Sequence, residues 1–342
     1  MPTLKEKTYL LLYRLAFARR YRSYLERARR DLQAFYPDRP ADEAVAMDML
    51  RETLLYGTFY DEYLFYHFES LSPALRRTYL TDAVRNRLCR RINNGKAQRL
   101  VCDKYACYAY FADLYGRKAL RLGGPQGASQ QQFAQFALAA GQVVIKPLCQ
   151  CAGRGVELLD ARPEAEWNSL YRKLVAEGGD YIVEQRIEQD PGMAAFHPQS
   201  VNTVRMNTIL RRGQFALPNC FVRTGCGSNF VDNGAQGGLF ASIDPATGLI
   251  FTPAANEHAQ FVEVHPDTGV AFRGRQIPRW DEAVALAETA ARRIPKLVYV
   301  GWDLALTPKG WVVVEANKGE FLAQQITQGR GLRPEFEQLI TR

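Results

Sequence analysis

Apolar and polar positions change their period partway along the chain. Over residues 5–32, Leu11, Leu12, Leu15, Phe17, Tyr21, Tyr24, Leu25, Ala28 and Leu32 recur at helical spacing among arginines, which predicts an amphipathic basic helix. Pro37 and Pro40 end it, further helical patterns follow over 41–70 and 73–92, and Asn93, Asn94 and Gly95 break the chain. Residues 1–99 are therefore expected to form an all-helical N-terminal region. From residue 100 onward, short β-rich segments separated by glycine turns take over, with helices between some of them, as in a mixed α+β body. Strands are predicted at 142–147, 155–159, 181–185, 200–210, 215–223, 239–243, 299–306 and 311–316, and the charge-free run 122–145 reads as a loop and a helix. The body divides into a segment 100–190 with a phosphate clamp and a segment 191–342 with a metal site, on the motifs that follow.

Residues 301–317 carry the most informative spacing. A three-residue turn of Pro308, Lys309 and Gly310, with glycine supplying positive φ, sets Thr307 opposite Trp311 and hence Asp303 opposite Glu315. Asn317 then shares their face, while Trp302, Leu304, Leu306, Val312, Val314 and Ala316 make the other face apolar. Two carboxylates and an amide on one side of a rigid sheet are oxygen ligands of the kind Mg²⁺ takes, and adjacent carboxylates without a cation repel. A turn one residue longer shifts the register and separates Asp303 from Glu315; a solvated polar face is the competing reading.

Residues 143–156 read as a buried strand ending in Lys146, a glycine-containing loop and a second strand. Gly153 and Gly155 let backbone N–H groups approach phosphate oxygens, and no G-K-[ST] opens a helix, which excludes a Walker loop. Glycines between strands are also found in ordinary hairpins, but a lysine closing the apolar run Val143, Val144 and Ile145 calls for an anionic partner. After residue 185 the chain turns polar, as a hinge between lobes does: backbone groups there suit an adenine edge and Glu188 suits two ribose hydroxyls, against the alternative of a surface strand. Arg205 and Arg223 stand in or near strands, where guanidinium groups suit an acyl phosphate and the charge developing at its transfer. A glycine-rich loop, 232–238, precedes the next strand; surface arginines and a flexible turn are the bland reading of each feature alone.

Composition narrows the class. With 342 residues, 47% of them apolar and 23% charged, the chain is long enough for two or three lobes and is neither disordered nor collagen-like. No run of about 18 apolar residues occurs, so neither a signal peptide nor a spanning helix is expected. Seven cysteines without a C-x-x-C pair, and four histidines, point to reduced thiols of a cytoplasmic protein; Cys149 and Cys151 beside the glycine loop read as small-residue filling, with a redox role as the alternative. Of the net charge of +8, residues 1–99 carry 19 Lys and Arg against 12 Asp and Glu, and the remainder 25 against 24. The basic helices offer a face for peripheral membrane contact or a polyanion, or are simply solvated; no stacking-aromatic or zinc-finger pattern supports nucleic acid.

Asp103 and Lys104 opening a helix, Ile145, Lys146 and Pro147, a glycine loop, Val183 and Glu184, two strand arginines, Asn233 with Gly237 and Gly238, and finally Asp303, Glu315 and Asn317 come in an order that resembles the ATP-grasp superfamily. More narrowly, S-x-N-T-x-R at 200–205, V-D-N-x-x-x-G-G at 231–238 and E-x-N at 315–317 are similar to motifs of the sugar-transfer-associated ATP-grasp family. The resemblance implies an α+β ATP-grasp fold, two α+β lobes gripping ATP, here preceded by the helical region. It implies Lys104 and Lys146 on the phosphates, Glu184, Gln185, Arg186 and Ile187 at the adenine and Glu188 near the ribose. It further implies Asp303, Glu315 and Asn317 around Mg²⁺, with Asn202, Asn233, Gly237 and Gly238 of the matched motifs on the substrate. The implied reaction joins a carboxylate to an amine through an acyl phosphate, and the family's association with surface-polysaccharide pathways points to a sugar-linked partner. The sequence departs from the family pattern twice: Cys149, Gln150 and Cys151 are bulkier than many such clamps, and the helical region stands where better-known ligases have an α/β domain that helps build the carboxylate and amine pockets. An ATP-dependent phosphotransferase acting on a sugar or alcohol, and a nucleotide-gated binding module reaching an anionic surface through the basic helices, fit the same residues.

Overall fold

The computed structural model describes residues 3–341 apart from Arg39, Ala41, 149–153, Asn229, Val231 and 233–236, so Gly153, Asn233, Cys149 and Cys151 lie outside the described residues. The basic N-terminal pattern forms two helices, Leu4–Ala16 and Ala18–Phe35, where a single one is expected; they meet at Phe17, whose N–H still bonds to Tyr13. Side-chain caps start the next elements: Asp42 accepts from the N–H groups of Ala44 and Val45 ahead of helix Glu43–Tyr56, and Gly57 ends it at φ 76°. Helices continue beyond residue 99, through Gly95–Cys102, Lys104–Tyr110 and Ala112–Tyr115, with Asn94 and Asp103 capping the first two. The first strand among the described residues is at Ala119, past residue 100 where the β-rich part is expected to begin but ahead of the first predicted strand at 142.

Strands β1 (Ala119–Leu122), β2 (Val143–Pro147), β3 (Glu157–Leu159) and β4 (Tyr181–Gln185) make an antiparallel sheet in the order β1-β4-β2-β3. Leu122, Val143, Ile145 and Val183 bury one face of it against Phe133 of helix Gln130–Ala140 and Trp167 of helix Glu164–Ala176. The second sheet is antiparallel too, with β5 (Thr203–Arg211), β6 (Gln214–Thr224), β7 (Leu239–Ile243), β8 (Ala254–Ala255), β9 (Phe261–Val262), β10 (Tyr299–Thr307) and β11 (Gly310–Asn317) in the order β11-β10-β5-β6-β7-β8-β9. Strand β1 and the two-residue β8 and β9 are not anticipated from the sequence, being too short to show alternation.

Alternation places Val204, Met206, Cys220, Val222, Ala241, Trp302 and Leu304 on one face of the larger sheet, packed on helix Trp280–Arg293 and on Phe111. The opposite face carries Arg205, Phe221, Phe240 and Asp303, and the N-terminal helices cover it through Tyr63, Leu64, Tyr66 and Phe68, which cluster with Phe221 and Phe240. Among the described residues no helix is long and apolar enough to cross a membrane.

The β10–β11 hairpin corrects the expected turn. Its turn has two residues, Pro308 and Lys309, with Thr307 opposite Gly310, because the Thr307 hydroxyl donates to the Gly310 carbonyl at 2.8 Å and accepts from the Lys309 N–H at 3.2 Å. Leu304 consequently pairs with Val313, and a β-bulge inserts Val314 before the ladder resumes with Asp303 opposite Glu315. The core positions thus become Trp311 and Val313 rather than Val312 and Val314, yet the bulge returns the two carboxylates to the expected pairing.

Trp302 anchors the larger core: it is fully buried, donates from Nε1 to the Thr208 hydroxyl at 3.0 Å and meets Phe111 edge-on at 5.3 Å. Trp302→Ala is expected to lower the free energy of unfolding by about 3–5 kcal/mol, read from the midpoint of urea denaturation at unchanged slope.

Candidate functional site

Register assembles the polar face of the larger sheet. Glu315 pairs with Asp303, Asp303 with Arg205, and Arg205 with Phe221, so one row crosses β11, β10, β5 and β6. Arg205 forks onto Asp303 through Nε and through Nη2, the latter at 2.9 Å, and its Nη1 lies 3.2 Å from Glu320. Arg223 adds a bond from Nη2 to Asp303 Oδ2 at 3.0 Å, and Asn317 Nδ2 donates at 3.0 Å both to Asp303 and to Glu315. Gly301, next to Asn207 in this face, leaves the room these side chains use: a Cβ there meets Asn207 Oδ1 at 2.8 Å and Arg205 Cδ at 3.2 Å. Burial alone drives the Asp303 carboxyl upward, but Arg205 and Arg223 hold it below its ordinary value. Asp232, bonded to the Thr203 hydroxyl and 3.5 Å from Arg223, is instead raised by burial in spite of that arginine.

The smaller sheet supplies the facing wall. Lys146 ion-pairs with Glu184 across β2 and β4, and Arg117 Nη2 reaches the other carboxylate oxygen at 2.5 Å. Burial pushes Glu184 upward, and Arg117 and Lys146 together bring it below its ordinary value. Arg117 also donates at 2.8 Å and 3.1 Å to the carbonyls of Val313 and Val314, so it caps the bulge of β11 and ties the two sheets together. Lys104 Nζ bonds to the Pro147 carbonyl at 3.1 Å beside Lys146. Glu184, expected at an adenine edge, turns its side chain to Arg117 and Lys146. Gln185, Arg186 and Ile187 line the cleft with Val144, Val156, Leu158 and Ile182.

Several expected residues stand elsewhere. Asn202 is fully buried, donating to Gln189 Oε1 at 2.9 Å, to the Met193 carbonyl at 3.0 Å and to the His197 carbonyl at 2.9 Å, so it braces a loop and does not line the cleft. Glu188 is exposed and Gly237 sits in a turn at φ 86°; neither they nor Gly155 and Gly238 line the cleft, although Arg154 and Val156 on either side of Gly155 do. Arg117 was not anticipated, because it precedes a strand too short to recognise. Thr203 and Asp232 belong to matched motifs but carry no expected role of their own, and Glu320 lies just past a motif.

The two sheets enclose a cleft of about 820 Å³, within the range of small-molecule sites. Its third wall is the helical region, which contributes Phe59, Asp61, Glu62, Phe65, Asp82 and Arg85. This wall is acidic together with Glu257 and Glu320: burial raises Asp61 and lifts Glu62 to about 7, and burial followed by the nearby Glu320 and Asp61 raises Glu257.

The sequence profile of the sugar-transfer associated ATP-grasp family matches residues 83–340. The chain belongs to this family. Its two sheets with the cleft between them are the ATP-grasp fold, and helices between residues 4 and 76 precede the matched segment of this ATP-grasp protein. No curated protein sequence matches it. Similar solved structures include D-alanyl-alanine synthetase A from Vibrio cholerae O1 biovar eltor, at 12% identity over 73% of this chain and 66% of that one, with a TM-score of 0.46. A RimK domain ATP-grasp protein from Sphaerobacter thermophilus shares 18% identity over 70% and 69% of the two chains, with a TM-score of 0.40. The ATP-grasp ligase PsnB complexed with a minimal precursor shares 14% over 76% and 67%, with a TM-score of 0.45. This ATP-grasp chain spans just under two thirds of the length of the Vibrio protein.

The donor set suits the groups the family implies. Apolar Val144, Val156, Leu158, Ile182 and Ile187 next to two lysines fit a base and its phosphates, and two carboxylates with one amide fit a hard cation. Among the described residues no three His, Cys, Asp or Glu side chains gather into a group that could hold a metal ion, and the third donor of the set here is the Asn317 amide. Asp303 already accepts four donors, about the capacity of a carboxylate, so a cation on its oxygens displaces an arginine or Asn317.

Glu184→Gln leaves Lys146 and Arg117 without their shared counterion, and a loss of about 3–5 kcal/mol of stability is expected. Since the Glu184 pKa lies below its ordinary 4.5, its contribution is complete above pH 4.5 and is lost as pH falls through the lower folded-state value. Thermal midpoints recorded against pH should therefore drop less steeply on the acid side in the variant than in the parent.

Proposed function

We propose that this chain is an ATP- and Mg²⁺-dependent ligase that joins a carboxylate to an amine through an acyl phosphate. One observation carries the reading: the Glu315, Asp303 and Arg205 row lines the same cleft as the Lys104 and Lys146 pair on the other sheet. A carboxylate oxygen of the substrate attacks the γ-phosphorus of ATP and ADP leaves. The amine, after giving up a proton to solvent, attacks the acyl carbon through its nitrogen lone pair; phosphate leaves with the C–O electron pair, and the nitrogen sheds a further proton to give the amide. Mg²⁺, when bound by Asp303, Glu315 and Asn317, neutralises charge on the phosphoryl oxygens.

The chain's own residues divide the remaining work. Lys146, kept in place by Glu184, and Lys104 hold the phosphates, and Gln185, Arg186 and Ile187 border the base. Arg223, the more exposed of the two arginines, steadies the acyl phosphate, while Arg205 is a positioning residue clamped between Asp303 and Glu320. Asp61, Asp82, Glu257 and Glu320 suit an amine that arrives as a cation, and Phe59 and Phe65 offer flat apolar surface to a sugar ring or its carrier. The family's association with sugar transfer supports a sugar-linked partner.

Calorimetry should show nucleotide binding that requires Mg²⁺, with Lys146→Ala and Glu315→Ala each weaker by about tenfold or more. If both variants bind as the parent does, the site is misassigned. Hydroxylamine added with a candidate carboxylate and ATP should yield a hydroxamate; a phosphorylated alcohol with no hydroxamate would establish a phosphotransferase instead.

A further inference from the structure

Helix Leu4–Ala16 is attached to the body by one edge. None of its residues is buried, while Leu4, Leu11, Leu12 and Leu15 are 82%, 57%, 59% and 71% exposed. At about 100° per residue these four leucines fall, with Thr8, within an arc of about 100°, and the opposite side carries Glu6, Leu10 and Tyr13 toward the body. Glu6 fixes the helix there: it completes a capping box with Thr3 and accepts from the Tyr56 hydroxyl. Lys5 borders the leucine stripe on one side, Lys7 and Arg14 on the other, and all three are exposed. Phe17, Arg19, Arg20 and Arg22, which follow this helix, are exposed too, and residues 4–22 hold six Lys and Arg against the one inward-facing Glu6.

We propose that this face docks on an anionic lipid surface, with the leucines entering the headgroup boundary and the flanking cations meeting lipid phosphates. Charge complementarity selects the occupant. A second copy seated on the stripe by two-fold symmetry brings Lys5, Lys7 and Arg14 against their own equivalents, which repel. A soluble polyanion satisfies the cations but leaves four leucines in water. An apolar layer beneath an anionic surface satisfies both at once. The inference is independent of the ligase reading, since it uses no residue of the cleft.

The test is co-sedimentation of the full chain with vesicles of phosphatidylcholine containing a minority of phosphatidylglycerol, beside vesicles of phosphatidylcholine alone. Binding to the anionic vesicles only is expected, weakened by added salt. Leu11→Ser with Leu15→Ser should reduce partitioning by about tenfold or more at an unchanged thermal midpoint, because both side chains are already in water when the protein is free. Leu12→Trp should shift its emission to shorter wavelength with anionic vesicles. Absence of binding at low salt overturns the proposal. So does a double variant that binds as well as the parent, which marks a general polyanion surface, or binding without the emission shift. Light scattering that shows a dimer dissociated by the leucine substitutions assigns the stripe to a second copy and overturns it equally.

Discussion

Asp303 has no exposure to solvent, and its charge is tolerable there only because Arg205 and Arg223 reach it from the next two strands of the sheet. The three groups are mutually dependent. Either arginine without the carboxylate is a buried cation with too few partners, and the carboxylate without them is driven toward its neutral form. Asn317 and Glu320 attach to the same cluster, so the chain after β11 is held by it as well. The polar groups of this cluster are thus bonded to one another, and a cation held at Asp303 would have to displace one of those bonds.

Arg117 performs the corresponding task between the sheets. Its guanidinium satisfies Glu184 on the smaller sheet and two bulge carbonyls on the larger one, which couples the lysine wall to the carboxylate wall through one planar group. The helical region closes the third side. Its aromatic residues pack on Phe221 and Phe240 beside the arginine row, and its acidic residues give that end of the cleft a character unlike the cationic end. The same helical region carries an outward leucine stripe, so it faces the cleft with one surface and solvent with another.

Much of the fold was legible because period-two and helical alternation are local. The strands holding Lys146, Glu184, Arg205, Arg223, Asp303 and Glu315 are where their patterns predict them. The hairpin is instructive in another way: the turn is one residue shorter than expected and the bulge at Val314 adds one back, so Asp303 meets Glu315 through two compensating differences. Asn202 misled for an opposite reason. Its motif spacing resembles a ligand residue, but its amide is fully used by backbone carbonyls of a neighbouring loop.

By itself the sequence determined the helical N-terminal region, the alternating strands, the concentration of basic charge at that end and the family to which the chain belongs. Tertiary structure alone decided that Glu184 serves Lys146 and Arg117, that Arg205 and Arg223 share Asp303, and that the N-terminal helices wall the cleft. Alternation and capping involve neighbours a few residues apart and leave a trace in composition. Pairings such as Arg117 with Glu184, or Arg205 with Asp303, join residues 67 and 98 positions apart, and no local pattern records them. They exist because a charge removed from water has to be paired, and the fold brings these partners together.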